Sequence, residues 1–238
     1  MNVIVVTHDS TFGRYLAASL ASRTHIDRLI IETQRPSLRF VARKLQRVGL
    51  VDFGFQIFLN RWFRHQARKH LPDLPLPLHE RVATVNDCTF AANDLVIGFG
   101  TSYVHARTLA RMPHGMLNLH TGLLPEYRGV KSEFWALASG DVRATGWTLH
   151  FMSPELDAGD IVMRKRVAAH GDDPASLRAR LLRDAVLDIS DFLERTRAGG
   201  FASIPRESQG EGRYYTTPRW SDWRRWRAGQ SRLNFKRL

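Results

Sequence analysis

Short apolar segments that alternate with helical patterns constrain the fold of this chain most. Residues 2–7, NVIVVT, form one such segment and residues 26–32, IDRLIIE, form the next, with a polar turn and a helical pattern between them. Apolar runs of this length that end at turn residues are typical of buried strands. A strand, a helix and a second strand in this order build a right-handed parallel unit. The opening of the chain therefore predicts a parallel, doubly wound α/β sheet.

The same alternation resumes in the second half of the chain. Further strands are predicted at 94–100, 115–120, 145–152 and from residue 159 onward, and helices at 105–112, 132–139 and 173–200. The last helix is the best marked, because Asp173 can cap it, Pro174 suits its first turn, and Gly199 and Gly200 end it. These elements extend the predicted sheet, which we expect to be mostly parallel.

Residues 34–81 interrupt this rhythm. We predict a helical insertion here, with helices at about 37–48 and 54–69 before the proline-rich LPDLPLPL. The segment interleaves ten Arg or Lys residues with Phe and Trp. Such helices can pack their aromatic faces on the sheet or on a second subunit, which is our favoured interpretation. They can also lie on anionic lipid.

The domain organisation follows from length and from a change in composition near the end. We expect one domain over residues 1–200 and a C-terminal extension, residues 201–238, that forms no separate domain. The extension is basic and places Trp220, Trp223 and Trp226 on one stripe of a predicted helix. We expect that helix to dock on its own domain or on a partner, with a lipid-binding or RNA-binding role as the alternative.

Composition limits the partners and the compartment. The net charge is +12 and the pI is near 10.7, which favours anionic partners such as nucleic acid, phosphorylated small molecules or a membrane surface. A single cysteine, Cys88, excludes an internal disulfide and a cysteine-based zinc cluster. The N-terminus lacks the pattern of a signal peptide, and no apolar run is long enough to span a membrane. We therefore expect a cytoplasmic protein.

The residues with chemical potential lie at the end of the strand 115–120. Asn118 and His120 are one residue apart, so their side chains share one face of the extended chain. Asp157 lies in a turn after the strand 145–152, and the ends of these strands meet if the sheet is parallel. An amide donor, an imidazole and a carboxylate suit acyl transfer to an amine. On the residues alone a structural role stays open, because Asn and His at strand ends often satisfy loop backbone.

Two absences narrow that chemistry further. No Ser or Cys lies in a nucleophile motif, so the substrate amine would attack directly, without a covalent enzyme intermediate. The remaining histidines, among them His8, His114 and His150, show no metal-ligand spacing with carboxylates. We therefore predict a site without metal.

Three motifs in order resemble the folate-dependent formyltransferase family. They are NLHTGLLPEYRG (118–129), TGWTLHFM (145–152) and LDAGDIV (156–162), and the resemblance extends from about residue 92 to 182 and more loosely over the first 32 residues. It implies a Rossmann-like formyltransferase fold, a catalytic domain over residues 1–200, and formyl transfer from 10-formyltetrahydrofolate to an amine. The family motif HPSLLP is HTGLLP here, with Gly122 at the Ser position.

The resemblance also implies roles for individual residues. Asn118 would hold the formyl oxygen, His120 would stabilise the tetrahedral intermediate and move protons, and Asp157 would assist His120. The folate would lie between the turn GFGTSYV and the loop FMSPELDAG, with contacts expected from Phe99, Gly100, Thr101, Ser102, Tyr103, Met152 and Leu156. Candidate contacts to an anionic substrate are Arg14, Tyr127, Arg128 and Lys131.

The identity of the amine is less constrained. The residues after 200 are too few for the tRNA-contacting barrel of methionyl-tRNA formyltransferase, and THDSTFGRY lacks the glycine-rich phosphate loop of glycinamide ribonucleotide formyltransferase. We therefore favour a nucleotide-linked amino sugar, with those two substrates or a specialised-metabolite amine as alternatives. A homodimer stays open. The competing class is a basic α/β protein that binds RNA or membrane without catalysis, and affinity for folate would separate the two.

Overall fold

The protein is described by a computed structural model that covers residues 1–33 and 36–229. The predictions for residues 34–35 and 230–238 lie outside the described residues. The strands are β1 (Asn2–His8), β2 (Arg28–Glu32), β3 (Glu80–Val82), β4 (Asp94–Phe99), β5 (Met116–His120), β6 (Arg128–Gly129), β7 (Gly146–Phe151), β8 (Ile161–Arg166) and β9 (Tyr214–Tyr215). The helices are α1 (Thr11–Ala21), α2 (Leu38–His70), α3 (Ala106–Leu109), α4 (Ser132–Ala138), α5 (Pro174–Gly199) and α6 (Trp220–Arg227).

Seven strands form one sheet in the order β3-β2-β1-β4-β5-β7-β8. The strands from β3 to β5 in this order are parallel, and the Val, Ile and Leu side chains of β1, β2, β4 and β5 are buried on both faces beneath the helices. The predicted α/β, mostly parallel, doubly wound sheet is confirmed. The sequence analysis did not identify β3, which pairs only three residues with β2 and forms one edge of the sheet.

The three strands that carry the site, β4, β5 and β7, were expected to end at the same edge of the sheet. The orientation of β7 differs from this expectation. β7 runs antiparallel to β5, so that Asn118 pairs with His150 and His120 pairs with Thr148. Its last residue, Phe151, therefore lies beside Leu117, near the start of β5. The connection from β5 to β7 contains α4, so the direction of β7 does not follow from that connection. It is determined by pairing with β5 and β8, and both pairings are antiparallel.

The helical part of segment 34–81 is confirmed, with a break at Gly49. This glycine has φ 79° and ψ 165°, which interrupts α2 between the two predicted helices. The second half of α2 buries Phe55, Leu59 and Phe63 at four-residue spacing against the core. In the first half no residue between 38 and 50 is buried. Within the described ranges, no helix is long and apolar enough to cross a membrane.

The C-terminal extension folds back on the domain. Trp223 of α6 is 8% exposed, and its ring lies 5.2 Å from Trp62 and 5.9 Å from Phe134, centroid to centroid. β9 pairs with β6 through Tyr214 and Tyr215. The described part of the extension thus docks on its own domain through an aromatic cluster. The boundary proposed at residue 200 stays a prediction.

One buried carboxylate ties the parallel strands to the loop that follows β4. Glu32 ends β2 with no exposed surface and accepts hydrogen bonds from Val85 N (2.6 Å), Ser102 N (2.7 Å) and Ser102 Oγ (2.6 Å). Removing the carboxylate would leave these donors buried without an acceptor, which costs more than the bonds contribute. Glu32 therefore fixes the position of the loop 100–104.

We expect Glu32→Ala to lower the free energy of unfolding by about 3 kcal/mol, because two backbone N–H groups lose their acceptor. Glu32→Gln keeps one acceptor oxygen and should cost less. The control is Glu207→Ala, which removes an exposed carboxylate that pairs with Arg164 of β8. Urea denaturation followed by circular dichroism measures all three. Equal stability of Glu32→Ala and Glu207→Ala would contradict the assignment.

Candidate active site

A cavity of about 470 Å³ opens where β4 and β5 end, within the usual size range of small-molecule sites. Its walls come from the residues after β4, from the segment 129–132 and from the loop 152–157 that follows β7. Apolar side chains such as Phe99, Val104, Met152 and Leu156 form part of the wall, whereas Asn118, His120, His150 and Asp157 bring polar groups together. β7, through His150, and the loop after it, through Asp157, thus both contribute to the same cavity.

The amide of Asn118 is oriented by a histidine on the neighbouring strand. Asn118 Nδ2 donates a hydrogen bond to His150 Nε2 (3.1 Å), and His150 Nδ1 donates to the carbonyl of Phe151 (2.8 Å). Burial lowers the pKa of His150 below its ordinary value, and the charge of nearby His120 lowers it further. A neutral imidazole therefore holds the Asn118 amide and leaves the second N–H of that amide available.

His120 has one occupied ring nitrogen and one available ring nitrogen. Its Nε2 donates to the carbonyl of Tyr127 (2.7 Å), and Ser132 Oγ lies 2.9 Å from the same nitrogen. Nδ1 lies 3.7 Å from Asp157 Oδ2. Because a carbonyl can only accept, Nε2 carries the proton, and Nδ1 is the nitrogen that can take up a second one. Asp157 would then stabilise the imidazolium.

Asp157 is held between the two histidines by backbone. It is 9% exposed and adopts φ 51°, a left-handed conformation that Asp tolerates better than most residues. Its Oδ2 accepts from Gly129 N (2.8 Å), and its Oδ1 lies 3.6 Å from His150 Nε2. Gly129 must be glycine, since a Cβ there would come within 2.1 Å of the Tyr215 carbonyl. The pairing of β6 with β9 therefore positions the catalytic candidate Asp157.

The unusual Gly122 has a structural explanation. A Cβ at this position would lie 2.5 Å from Ser132 Cβ and 2.8 Å from His120 Nε2. Ser132 is buried, and its hydroxyl donates to the Tyr127 carbonyl (3.0 Å) beside that nitrogen. The hydroxyl of Ser132 thus fills the space that a side chain at position 122 would need.

The structure brings most of the predicted site residues to the cavity and leaves three of them away from it. Asn118, His120 and Asp157 meet as expected, and the cavity is also lined by all seven expected folate contacts: Phe99, Gly100, Thr101, Ser102, Tyr103, Met152 and Leu156. Of the expected substrate contacts only Lys131 lines it. Arg14 instead pairs with Asp9 at 2.9 Å, and Tyr127 directs its hydroxyl to Ser139 at 3.0 Å. Arg128 Nη2 donates to the carbonyl of Gly210 (2.9 Å) in the extension, so these three side chains have protein partners away from the cavity.

Lys131 and Arg178 make one wall of the cavity positive. Lys131 Nζ lies 3.8 Å above the centre of the Phe63 ring, and Arg178 forms an ion pair with the buried Glu133. The amine of Lys131 is enclosed although part of its side chain is accessible. Burial, followed by the charge of Arg178, lowers the pKa of Lys131 to about 7, against the opposing effect of Glu133. Arg178 and Glu133 were not predicted from the sequence. Arg178 lies on α5, far along the chain from the motifs, and Glu133 lies on α4, whose other side chains are mostly apolar.

His150 is the main site residue that the sequence analysis missed. The alternation in TGWTLHFM places its side chain on one face, but only the antiparallel pairing with β5 shows that this face meets Asn118. No group of three or more His, Cys, Asp or Glu side chains in the described ranges could hold a metal ion. The absence of a metal from the reaction stays a prediction.

Comparison with known proteins identifies similar chains. Residues 91–187 match a family model described as formyl transferase. GDP-perosamine N-formyltransferase of Brucella melitensis is 32% identical over 149 residues, which is 56% of this chain and 55% of that protein. Methionyl-tRNA formyltransferase of Chlorobium chlorochromatii is 29% identical over 71% of this chain and 59% of its own length. The chain thus spans little more than half the length of these relatives.

A solved structure shares the fold. The N-formyltransferase of Helicobacter canadensis, in complex with folinic acid and dTDP-3-aminofucose, superposes with a TM-score of 0.58 at 14% identity, over 91% of this chain and 71% of that one. The matched family segment contains Asn118, His120, His150 and Asp157, the polar groups of the cavity. The resemblance of this chain to the folate-dependent formyltransferases is therefore confirmed.

Proposed function

We propose that this protein transfers the formyl group of 10-formyltetrahydrofolate to the amine of a small anionic substrate, with a nucleotide-linked amino sugar as the favoured class. The observation that carries the proposal is the convergence of Asn118, His120 and Asp157 at one end of an apolar cavity. The relatives that act on GDP-perosamine or bind dTDP-3-aminofucose support the substrate class.

The cavity wall suits a folate as formyl donor. Phe99, Val104, Met152 and Leu156 supply apolar surface of the kind that a flat heterocycle contacts, beside the backbone of the loop 100–104. Tyr103 and Leu156 are 63% and 43% exposed, so they form an open rim through which a ligand could enter. The folate would supply the formyl group, and every charged or proton-carrying group discussed next belongs to the protein.

The polar groups divide the work of the transfer. When the substrate amine attacks the formyl carbon, the formyl oxygen gains negative charge, which the available N–H of Asn118 would stabilise. His120 Nδ1 would accept the proton that the amine loses, while Asp157 stabilises the resulting imidazolium. The same proton would pass to the nitrogen of the donor as the old carbon–nitrogen bond breaks. His150 stays neutral and acts on Asn118 by orienting its amide.

We expect Asn118→Ala and His120→Ala each to lower kcat about 10²–10³-fold, because each removes a preorganised group that acts in the transition state. A formyl-release assay with 10-formyltetrahydrofolate and a panel of nucleotide-linked amino sugars measures this. Thermal shift with folinic acid should still report binding to both variants. Asn60→Ala, on the exposed face of α2, is the control. Near wild-type turnover in both site variants would exclude the proposed roles.

We expect Gly122→Ser to lower both the melting temperature and kcat, because the added Cβ collides with Ser132 and crowds His120 Nε2. Adding Ser132→Gly should restore much of the loss, since it removes the atom that is struck. Gly210→Ser is the matched control, because a Cβ at Gly210 meets nothing within 4 Å. An unaffected Gly122→Ser variant, or a double variant no better than the single one, would refute this explanation of Gly122.

We expect the KM for an anionic amine to rise about tenfold between pH 6 and pH 8, because Lys131, with its pKa near 7, loses its charge over that range. The sign follows from the lowered pKa: the cation that attracts the substrate is present below pH 7 and lost above it. Lys131→Arg keeps its charge and should flatten this part of the KM profile. A profile that Lys131→Arg leaves unchanged would show that Lys131 does not bind the anion.

A further inference from the structure

The outward face of α2 carries an exposed apolar stripe. Leu50, Val51, Ile57 and Phe58 are 78%, 69%, 49% and 52% exposed, and we call them the outward stripe. Their spacing places them on one side of the helix, with Gly54 between them. The opposite side of the same helix is the one that packs on the core. Large apolar side chains exposed in a row mark an interaction surface rather than ordinary protein surface.

Arginines continue the stripe along the same face. An open depression in the next two turns is lined by Ile57, Asn60, Arg61, Arg64, His65 and Arg68. None of the three guanidinium groups has a carboxylate partner among the described residues. A row of free cations directly follows the apolar row.

The charge of α2 is not balanced within the helix. Eight of its residues are Arg or Lys, and its one acidic residue, Asp52, accepts a hydrogen bond from Trp220 N at 2.9 Å. Trp220 itself is 41% exposed, and its ring lies 5.5 Å from Phe55 between centroids. An amphipathic tryptophan thus lies at the margin of this basic and apolar face.

We propose that the outward stripe and the arginines beside it dock this protein on the surface of an anionic lipid bilayer. Leu50, Val51, Ile57 and Phe58 would enter the boundary between headgroups and acyl chains, and Arg61, Arg64 and Arg68 would contact lipid phosphates. The proposal goes beyond formyl transfer and does not depend on it.

Charge and apolarity together favour lipid over other partners. A second copy meeting this face with its own would offer its arginines no carboxylate partner, because the one acidic residue of α2, Asp52, accepts from Trp220 N. Nucleic acid would neutralise the arginines but leave the outward stripe in water. An anionic bilayer satisfies both features at once.

The docked face and the cavity lie on opposite sides of α2. Phe63, on the inner side, contacts Lys131 at the cavity wall, whereas Ile57 and Phe58 face outward. A helix is about 10 Å across, so the cavity would stay close to the lipid surface without being covered by it. An amine presented at the membrane would then lie within reach of the site.

Vesicle flotation of the full chain tests the proposal. We expect binding to vesicles that contain phosphatidylglycerol, none to vesicles of phosphatidylcholine alone, and weaker binding as salt is raised. The double variant Ile57→Glu/Phe58→Glu should lower the bound fraction about tenfold. The matched control is Val142→Glu/Leu187→Glu, which adds the same charge at exposed apolar side chains on other parts of the surface. The control should bind like the wild type.

A second pair of variants separates charge from apolarity. Arg61→Gln/Arg64→Gln should lower binding about tenfold, whereas Arg183→Gln/Arg195→Gln on α5 should not. Circular dichroism verifies the fold of each variant. No binding to anionic vesicles would overturn the proposal, and so would equal losses in test and control pairs. A wild-type dimer that Ile57→Glu/Phe58→Glu converts to a monomer would assign the face to a second copy instead. Binding to RNA but not to anionic vesicles would assign it to nucleic acid.

Discussion

The candidate site depends on the contacts that the carboxylate of Asp157 makes. This carboxylate contacts both site histidines and is anchored by Gly129 N at 2.8 Å. That anchor exists because β6 pairs with β9, a strand of the C-terminal extension. A catalytic candidate in a loop after β7 is therefore positioned by backbone from two other parts of the chain. Its left-handed backbone conformation is consistent with a residue held in place by its surroundings.

The arrangement also explains how two chemically similar histidines differ. His150 is buried, keeps its Nε2 as an acceptor for Asn118 and has a lowered pKa, so it acts as a fixed dipole. His120 donates a hydrogen bond from Nε2–H to the Tyr127 carbonyl and keeps Nδ1 beside the carboxylate of Asp157. The ring of His150 orients an amide donor, and the ring of His120 keeps one nitrogen beside a carboxylate. The difference arises from which backbone carbonyl each ring contacts.

Much of the fold could be predicted because the evidence for it is local. Runs such as NVIVVT and DLVIGFG specify buried strands by themselves, and the cap at Asp173 is formed as expected, with bonds to Ala175 N and Ser176 N. The strand β3 could not be found because Glu80–Val82 is short and polar, and its pairing with β2 is determined by tertiary contacts. The direction of β7 is likewise a property of pairing, which no single segment encodes.

His150 and Ser132 were not predicted as site residues for that reason. Each becomes a site residue only through contacts across strands or onto the next helix. The roles predicted for Arg14 and Arg128 in substrate binding stay predictions, and a positive charge in the sequence does not show which carboxylate or carbonyl will engage it.

The sheet ends at β8, where the chain leaves one edge open to solvent. Among the described residues, one bridge extends from this edge, between Ile161 and Glu207, and the exposed residues farther along β8 are Arg164, Lys165 and Arg166. Each of these side chains is paired with a carboxylate: Arg164 with Glu207, Lys165 with Asp184 and Asp188, and Arg166 with Glu126. Unpaired strand edges are templates for another sheet, and charged side chains along an edge make such pairing unfavourable. The ion-paired side chains of β8 thus protect the sheet against edge-to-edge association. Neutralising these three residues would remove that protection and would also leave Glu207, Asp184, Asp188 and Glu126 without these partners.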